Sequence, residues 1–145
     1  MLSHSISEFT VQHIHRNDGS IIVNQYENEV VEILWERKSV QFKVELQDVI
    51  GLRELMKDLG KGKELPVYIS TIEFLRSTPE ANQYASTEEA SKYTLANAVL
   101  VDNLAKRILF NFFLKFNSPQ KPTRGFKTRK KAMKWLLELK NQSRV

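Results

Sequence analysis

The sequence contains no cysteine, which excludes disulfide bonds, thiol nucleophiles and thiolate metal sites. Histidine is almost as scarce, because the only three are His4, His13 and His15. The rest of the chain therefore lacks the side chain that most often acts as a general base near neutral pH. Phosphate-binding glycine loops, nucleophile elbows and zinc-protease motifs are also absent. We therefore expect a protein that is not an enzyme and that carries no cofactor.

Two neighbouring histidines form the one pattern that could suggest a metal. His13 and His15 would project to the same side of a strand, and Asp18 is the only carboxylate with a fitting spacing. Two polar residues on an exposed edge strand explain the same pattern. We therefore expect no metal site.

Long apolar runs are missing as well. The most apolar stretch, residues 104–116, is interrupted by four polar residues, namely Lys106, Arg107, Asn111 and Lys115. A membrane-spanning helix needs about 20 consecutive apolar residues, so this stretch cannot cross a bilayer. The first residues lack the basic and apolar parts of a signal peptide. We expect a cytoplasmic protein with no transmembrane segment.

Acidic residues are nearly absent from the last third of the chain. Residues 103–145 carry a net charge of +11 with Glu138 as their only acid, whereas residues 1–102 carry −6. Such a segment could bind nucleic acid, an anionic membrane or an acidic partner. It could equally face the acidic part of its own fold or of a second subunit, which is the interpretation we favour. The candidate polyanion contacts are Arg124, Lys127, Arg129, Lys130, Lys131 and Lys134.

What the chain does contain is an alternation of strand and helix patterns. Residues 39–46 show period-2 alternation, and at Asp48 the apolar spacing changes to that of a helix. The predicted strands are 21–23, 30–35, 39–46, 66–72, 96–101 and 123–126, and the predicted helices are 48–60, 79–92, 103–116 and 128–140. Residues 30–46 are expected to form a hairpin.

These elements predict a single α/β domain in which an N-terminal β-hairpin is followed by β-α units in a mixed sheet. Residues 1–25 are predicted to be an N-terminal extension that could supply an edge strand, and residues 26–145 to be the domain itself.

The helix at 103–116 is unusually apolar. One broad face is expected to pack on the core, formed by Leu104, Ala105, Ile108, Leu109, Phe112, Phe113 and Phe116. Phe110 and Leu114 fall outside this face, beside Arg107. We therefore expect Phe110 and Leu114 to form a surface for a second copy or an apolar ligand, and the protein to be a homodimer.

Ser77, Thr78 and Pro79 mark the junction between a strand and the next helix. Open α/β sheets bind ligands at such junctions, and the free backbone N–H groups of a helix start attract an anion or phosphate. Arg76 could add positive charge there. The alternative is a simple helix cap at Thr78, which uses the same residues.

The order of these elements resembles the STAS superfamily (SpoIIAA-like fold), and more closely the bacterial STAS/CRAL-TRIO-like proteins of Bacteroidetes type. The resemblance covers about residues 26–140. It is carried by Pro79-Glu-Ala-Asn-Gln-Tyr-Ala-Ser-Thr-Glu-Glu-Ala-Ser-Lys, Ala98-Val-Leu-Val-Asp-Asn, Asn111-Phe-Phe-Leu-Lys-Phe-Asn-Ser-Pro and Lys131-Ala-Met-Lys-Trp-Leu.

The resemblance implies a regulatory or protein-interaction domain with a regulatory protein as partner. In anti-sigma-factor antagonists of this superfamily, a serine in an Asp-Ser-x-Gly turn opens the second helix and is phosphorylated. Ser77 or Thr78 occupies that place here, with Arg76 instead of the Asp and Pro79 instead of the Gly. The CRAL-TRIO side of the resemblance implies lipid carriage. A nucleic-acid-binding module and a small apolar-ligand or lipid-binding protein remain the alternatives; the first is weakened because Phe126 alone lies among the basic residues.

Overall fold

The computed structural model describes residues 8–16, 18–39, 41–71, 76–116 and 119–143, with the side chains of residues 8–16, 71 and 116 excepted. The strands are β1 (Glu8–Arg16), β2 (Gly19–Tyr26), β3 (Val31–Arg37), β4 (Lys43–Val44), β5 (Leu65–Thr71), β6 (Arg76–Ser77), β7 (Thr94–Leu100) and β8 (Thr123–Phe126). The helices are α1 (Leu46–Gly60), α2 (Pro79–Ala85), α3 (Leu104–Phe116) and α4 (Arg129–Ser143).

Six strands form one mixed sheet in the order β1-β2-β3-β5-β7-β8. The first three pair antiparallel, whereas β3, β5, β7 and β8 run parallel to one another. Parallel neighbours need crossover connections, and helices α1, α2 and α3 lie in these connections. The α/β class and the mixed sheet that begins with an N-terminal hairpin are confirmed.

The sheet is covered by helices on both faces. Helix α1 packs Met56 against Val67 and the other buried residues of one face. Helix α4 packs Leu136 against Tyr68 and Ala98 on the opposite face. Because successive residues of a strand point to opposite faces, β5 is apolar on both sides, as central parallel strands usually are.

The predicted hairpin at residues 30–46 is wrong. The hairpins are β1–β2 and β2–β3, and the 43–44 strand instead pairs with β6 in a separate two-stranded sheet. The alternation in residues 39–46 has another cause, which is that Phe42 and Val44 are buried while Gln41 and Lys43 are exposed. The period-2 pattern of residues 39–46 therefore reflects alternate burial of their side chains, and these residues do not pair with β3.

Two helix boundaries are set by side-chain hydrogen bonds. Helix α1 begins at Leu46, two residues before the predicted start, because the Asp48 carboxylate accepts a hydrogen bond of 2.8 Å from the backbone N–H of Glu45. Helix α2 ends at Ala85, short of the predicted residue 92. There the hydroxyls of Ser86 and Thr87 donate to the backbone carbonyls of Gln83 and Tyr84, which competes with continued helix.

Replacing either of two glycines by alanine should change the stability of the fold, in opposite directions. A Cβ at Gly19 would lie 2.6 Å from the carbonyl oxygen of Glu36 and 2.6 Å from the Phe42 ring, whereas a Cβ at Gly51 in α1 meets nothing within 4 Å. Gly19→Ala should therefore lower the free energy of unfolding by about 2 kcal/mol through overpacking. Gly51→Ala should raise it by about 1 kcal/mol through helix propensity. Urea denaturation measures both, and a Gly19→Ala variant as stable as the parent would contradict this packing.

Candidate functional site

Helix α3 packs on the sheet through the side that carries Phe110 and Leu114, which is opposite to the side that was predicted to face the core. Phe110 and Leu114 are half-buried, and a Cβ at Gly125 would lie 3.0 Å from two carbons of the Phe110 ring and 3.0 Å from a methyl of Val101. The prediction that Phe110 and Leu114 are left outside the core is therefore wrong. The contact exists because Gly125 has no side chain, which allows the phenyl ring to lie against the backbone of β8.

The broad apolar side of α3 points away from the sheet. Its exposed large side chains are Leu104 (62%), Ile108 (58%), Leu109 (37%), Phe112 (62%) and Phe113 (42%). We call these five residues the outer face of α3. No other large apolar side chain is exposed in the part of the chain that the structure describes.

The surface under α3 explains why so little of the helix is buried. Asn97 and Thr123 pair in register between β7 and β8, and Val99 pairs with Gly125 two residues later, so all four point to the side of α3. The Asn97 amide donates to the Thr123 hydroxyl at 3.4 Å. Because this polar pair and the bare backbone of Gly125 offer little apolar surface, the contact of α3 with β8 is narrow and is made by the Phe110 ring over Gly125.

Basic residues border the outer face of α3. Lys115 follows Ile108 by seven positions, so it lies at the C-terminal end of the outer face, and Arg107 precedes Leu114 by seven, so it lies on the flank between the outer face and the sheet. Lys106 lies near the other margin and forms an ion pair of 2.9 Å with Asp102, which lowers the pKa of that carboxyl. The helix itself contains no acidic residue.

Arg76, Ser77 and Thr78 lie at the start of α2. Ser77 belongs to β6 and is half-buried, while Arg76 is exposed. The Thr78 hydroxyl accepts a hydrogen bond of 3.1 Å from the backbone N–H of Ala81, so Thr78 caps the helix with Pro79 at its first turn. The anion-binding or regulatory role of these residues stays a prediction.

Part of the basic C-terminal third is neutralised within the chain. Arg129 pairs with Glu32 at 2.9 Å, and Lys121 pairs with Glu64. Lys140 donates to the backbone carbonyl of Asn28 at 2.7 Å and lies 3.7 Å from the Glu29 carboxylate. The exposed basic side chains that remain from the candidate polyanion contacts are Arg124, Lys127, Lys130, Lys131 and Lys134.

Glu32 is the centre of a polar cluster that sequence reasoning missed. Its carboxylate accepts hydrogen bonds from the hydroxyl of Tyr26 at 2.6 Å, the hydroxyl of Ser70 at 2.7 Å and the guanidinium of Arg129 at 2.9 Å. The Arg129 guanidinium also lies 5.3 Å from the ring centres of both Tyr26 and Tyr68. The only indication of this cluster in the sequence is one carboxylate, that of Glu32, within the otherwise apolar residues 30–35.

The electrostatics of this cluster favour a charged carboxylate. Burial alone would raise the pKa of Glu32, but the hydrogen bonds from Tyr26, Ser70 and Arg129, with the charge of Arg129, lower it overall. Burial and the neighbouring Glu32 raise the pKa of the Tyr26 hydroxyl, which therefore remains a donor. The cluster fastens the first residue of α4 to the sheet.

Neither a metal-binding cluster nor a membrane-spanning helix is found among the described residues. Within the described ranges, no group of three or more His, Cys, Asp or Glu side chains could hold a metal ion. The side chains of His13 and His15 and the whole of His4 lie outside the described part of the chain. Among the helices described above, none has the length and apolar character needed to cross a bilayer.

Comparison with known proteins places the chain in a family. A family model described as a domain of unknown function, DUF7793, matches residues 25–140. The chain belongs to this family. No curated protein matches it.

Among solved structures, one similar chain is an uncharacterized protein of the DUF3478 family from Shewanella loihica PV-4, which has a SpoIIAA-like fold. The sequence identity is 13% and the TM-score 0.49, over 94% of this chain and 98% of that chain.

The cap at Thr78 can be tested by stability. Thr78→Ala should lower the free energy of unfolding by about 1 kcal/mol because it leaves the Ala81 N–H without its acceptor. Thr78→Asp should keep most of the stability, since aspartate also caps well. Urea denaturation with Ser77→Ala as the neighbouring control measures the effect. A Thr78→Ala variant as stable as the parent would show that the hydroxyl does not cap α2.

The Glu32 cluster makes a pH-dependent contribution to stability. Because the pKa of Glu32 is lower in the folded chain than in the unfolded chain, its stabilisation is complete above the unfolded pKa of about 4.3 and is lost as the pH falls through the folded pKa. Glu32→Gln should cost about 2 kcal/mol at neutral pH and reduce this acid sensitivity. Urea denaturation between neutral and acid pH measures both, with exposed Glu88→Gln as control. If Glu32→Gln lost stability at acid pH as steeply as the parent chain does, this role would be ruled out.

Proposed function

We propose that this chain is a non-enzymatic binding domain whose working surface is the outer face of α3. The observation that supports the proposal is the concentration of exposed large apolar side chains on one helix, with Ile108 and Phe112 more than half exposed. Contiguous apolar patches on a protein surface usually mark the site of a partner.

The sheet-facing side of α3 strengthens the proposal. Phe110 already gives this helix a contact with its own sheet, and Leu114 on the same side of the helix is half-buried. A helix that is apolar on both of its sides is typical of a buried position, because each apolar side gains free energy by leaving water. The outer face of α3 therefore has the composition of a surface that is covered in the working state.

The alternative of nucleic-acid binding finds less support. Base stacking on aromatic rings is a major part of sequence-tolerant binding to single strands. Phe126, the only aromatic residue among the basic ones, is 9% exposed and packs against Trp135 with ring centres 5.4 Å apart. The exposed lysines of α4 are thus charges without an exposed ring beside them.

The alternative of an apolar ligand held beneath α3 also finds less support. The Phe110 ring already occupies the space over Gly125, within contact distance of the backbone position where a side chain would begin. An apolar ligand at Phe110 and Leu114 would have to displace these contacts. The exposed side of the helix offers apolar surface without that cost.

Photocrosslinking in cells of the native host tests the proposal. With p-benzoylphenylalanine at position 108, on the outer face of α3, we expect crosslinked products of protein or lipid. The same group at position 57, an exposed site on α1, should give none, because no apolar surface surrounds it. Equal absence of products from both positions, with both variants folded by circular dichroism, would contradict the proposal.

A further inference from the structure

We propose that the partner of the outer face of α3 is an anionic lipid surface, an inference that rests on the proposed binding role of that face. The helix combines a continuous apolar side with basic residues at its margins and has no acidic residue of its own. Helices of this type lie in the plane of a membrane interface, with their apolar side chains among the acyl chains and their basic side chains at the headgroups.

The packing of α3 on the sheet is compatible with this orientation at a membrane interface. Phe110 holds one side of the helix against the sheet, while Leu104, Ile108 and Phe112 recur every four residues along the exposed side. This row is inclined by about 26° to the helix axis, and together with Leu109 and Phe113 it forms one broad apolar side that can meet a flat surface. The domain does not need to unfold or detach α3 to make this contact.

The charges favour an anionic surface over a neutral one. Lys115 is exposed at the C-terminal end of the outer face, Arg107 is exposed on the flank of the helix beside Leu114, and Lys106 lies near the opposite margin beside Asp102. Residues 103–145 as a whole carry a net charge of +11. Basic residues near a bilayer that contains anionic lipids add attraction to that of apolar burial.

A second copy of the chain fits this face less well. Two outer faces packed together would bring the basic margins of both helices close to each other without an acidic residue from either α3. The helix has 13 residues, so it is about 20 Å long and about 10 Å wide with side chains. One face offers on the order of a few hundred Å², against the ~800 Å² per partner that stable interfaces bury.

Vesicle flotation with the full chain tests the inference. Vesicles of equal parts phosphatidylcholine and phosphatidylglycerol should carry the protein to the top of the gradient, and vesicles of phosphatidylcholine alone should carry far less. The double variant Ile108→Ser with Phe112→Ser should lose at least about tenfold in partitioning, because two large apolar side chains no longer enter the interface. Both side chains are more than half exposed, so this variant should still fold, and its thermal midpoint checks this.

A matched pair of charge variants isolates the electrostatic part. Arg107→Gln with Lys115→Gln should weaken partitioning by about fivefold for each charge removed. Lys57→Gln with Lys61→Gln removes the same charge from the end of α1 and should leave partitioning unchanged. Added salt should weaken binding of the parent chain and of the control pair alike.

The outcomes separate this inference from the proposed function. No flotation of the parent chain with anionic vesicles, or equal flotation of the Ile108→Ser with Phe112→Ser variant, would overturn the lipid surface. If position 108 then still crosslinks to a protein, including a second copy of this chain, the binding role of the outer face stands and only its partner changes. An absence of both flotation and crosslinks removes both.

Discussion

The fold depends on β5, a strand that must be covered on both faces. Val67 and Tyr68 are adjacent in sequence, both almost fully buried, and face opposite sides of the sheet. One side is therefore closed by α1 and the other by α4. Ile69, Val99 and Gly125 pair in register across β5, β7 and β8, so Gly125 points to the α1 side. Helix α3, which rests on Gly125, is thus the last of the crossover helices on that side.

The position of α3 at the end of this row explains its exposed face. Strand β8 is at the edge of the sheet and has four residues. Helix α1 lies over the middle of the sheet, where several strands contribute to its core. On the side of helix α3, β7 and β8 present a glycine and a polar pair, Gly125 and Asn97–Thr123, beside Val99 and Val101. Because the edge of the sheet is narrow and α3 is apolar on two sides, most of the apolar surface of this helix remains exposed to water.

Periodicity predicted the elements well, but it does not identify which side of α3 meets the sheet. A helix with one apolar stripe can bury only that stripe against a sheet. Helix α3 has apolar residues on two sides, and the narrow side with Phe110 is the one that fits over Gly125. The relevant information lies in residue 125, outside the helix. Period 2 in residues 39–46 failed for a related reason, because burial of Phe42 produces the same alternation as strand pairing.

The candidate site was predictable only where its interactions are local. Thr78 caps α2 through a residue three positions away, so the sequence pattern alone was sufficient. Glu32 binds Ser70 and Arg129, which are 38 and 97 positions away, and no local pattern reports such partners. The isolated carboxylate in an apolar strand indicated only that a partner was required.

The positive charge of the C-terminal third divides into two groups with different physical roles. Lys121, Arg129 and Lys140 lie beside acidic residues from the first half of the chain, and Arg129 and Lys140 join α4 to β3 and to the β2–β3 turn. These charges stabilise the fold, so the net charge of this third overstates what a partner would meet. The charges at the margins of α3 belong to the second group. Because they lie beside the largest exposed apolar side chains of the described chain, apolar burial and charge attraction can act on one partner at the same place.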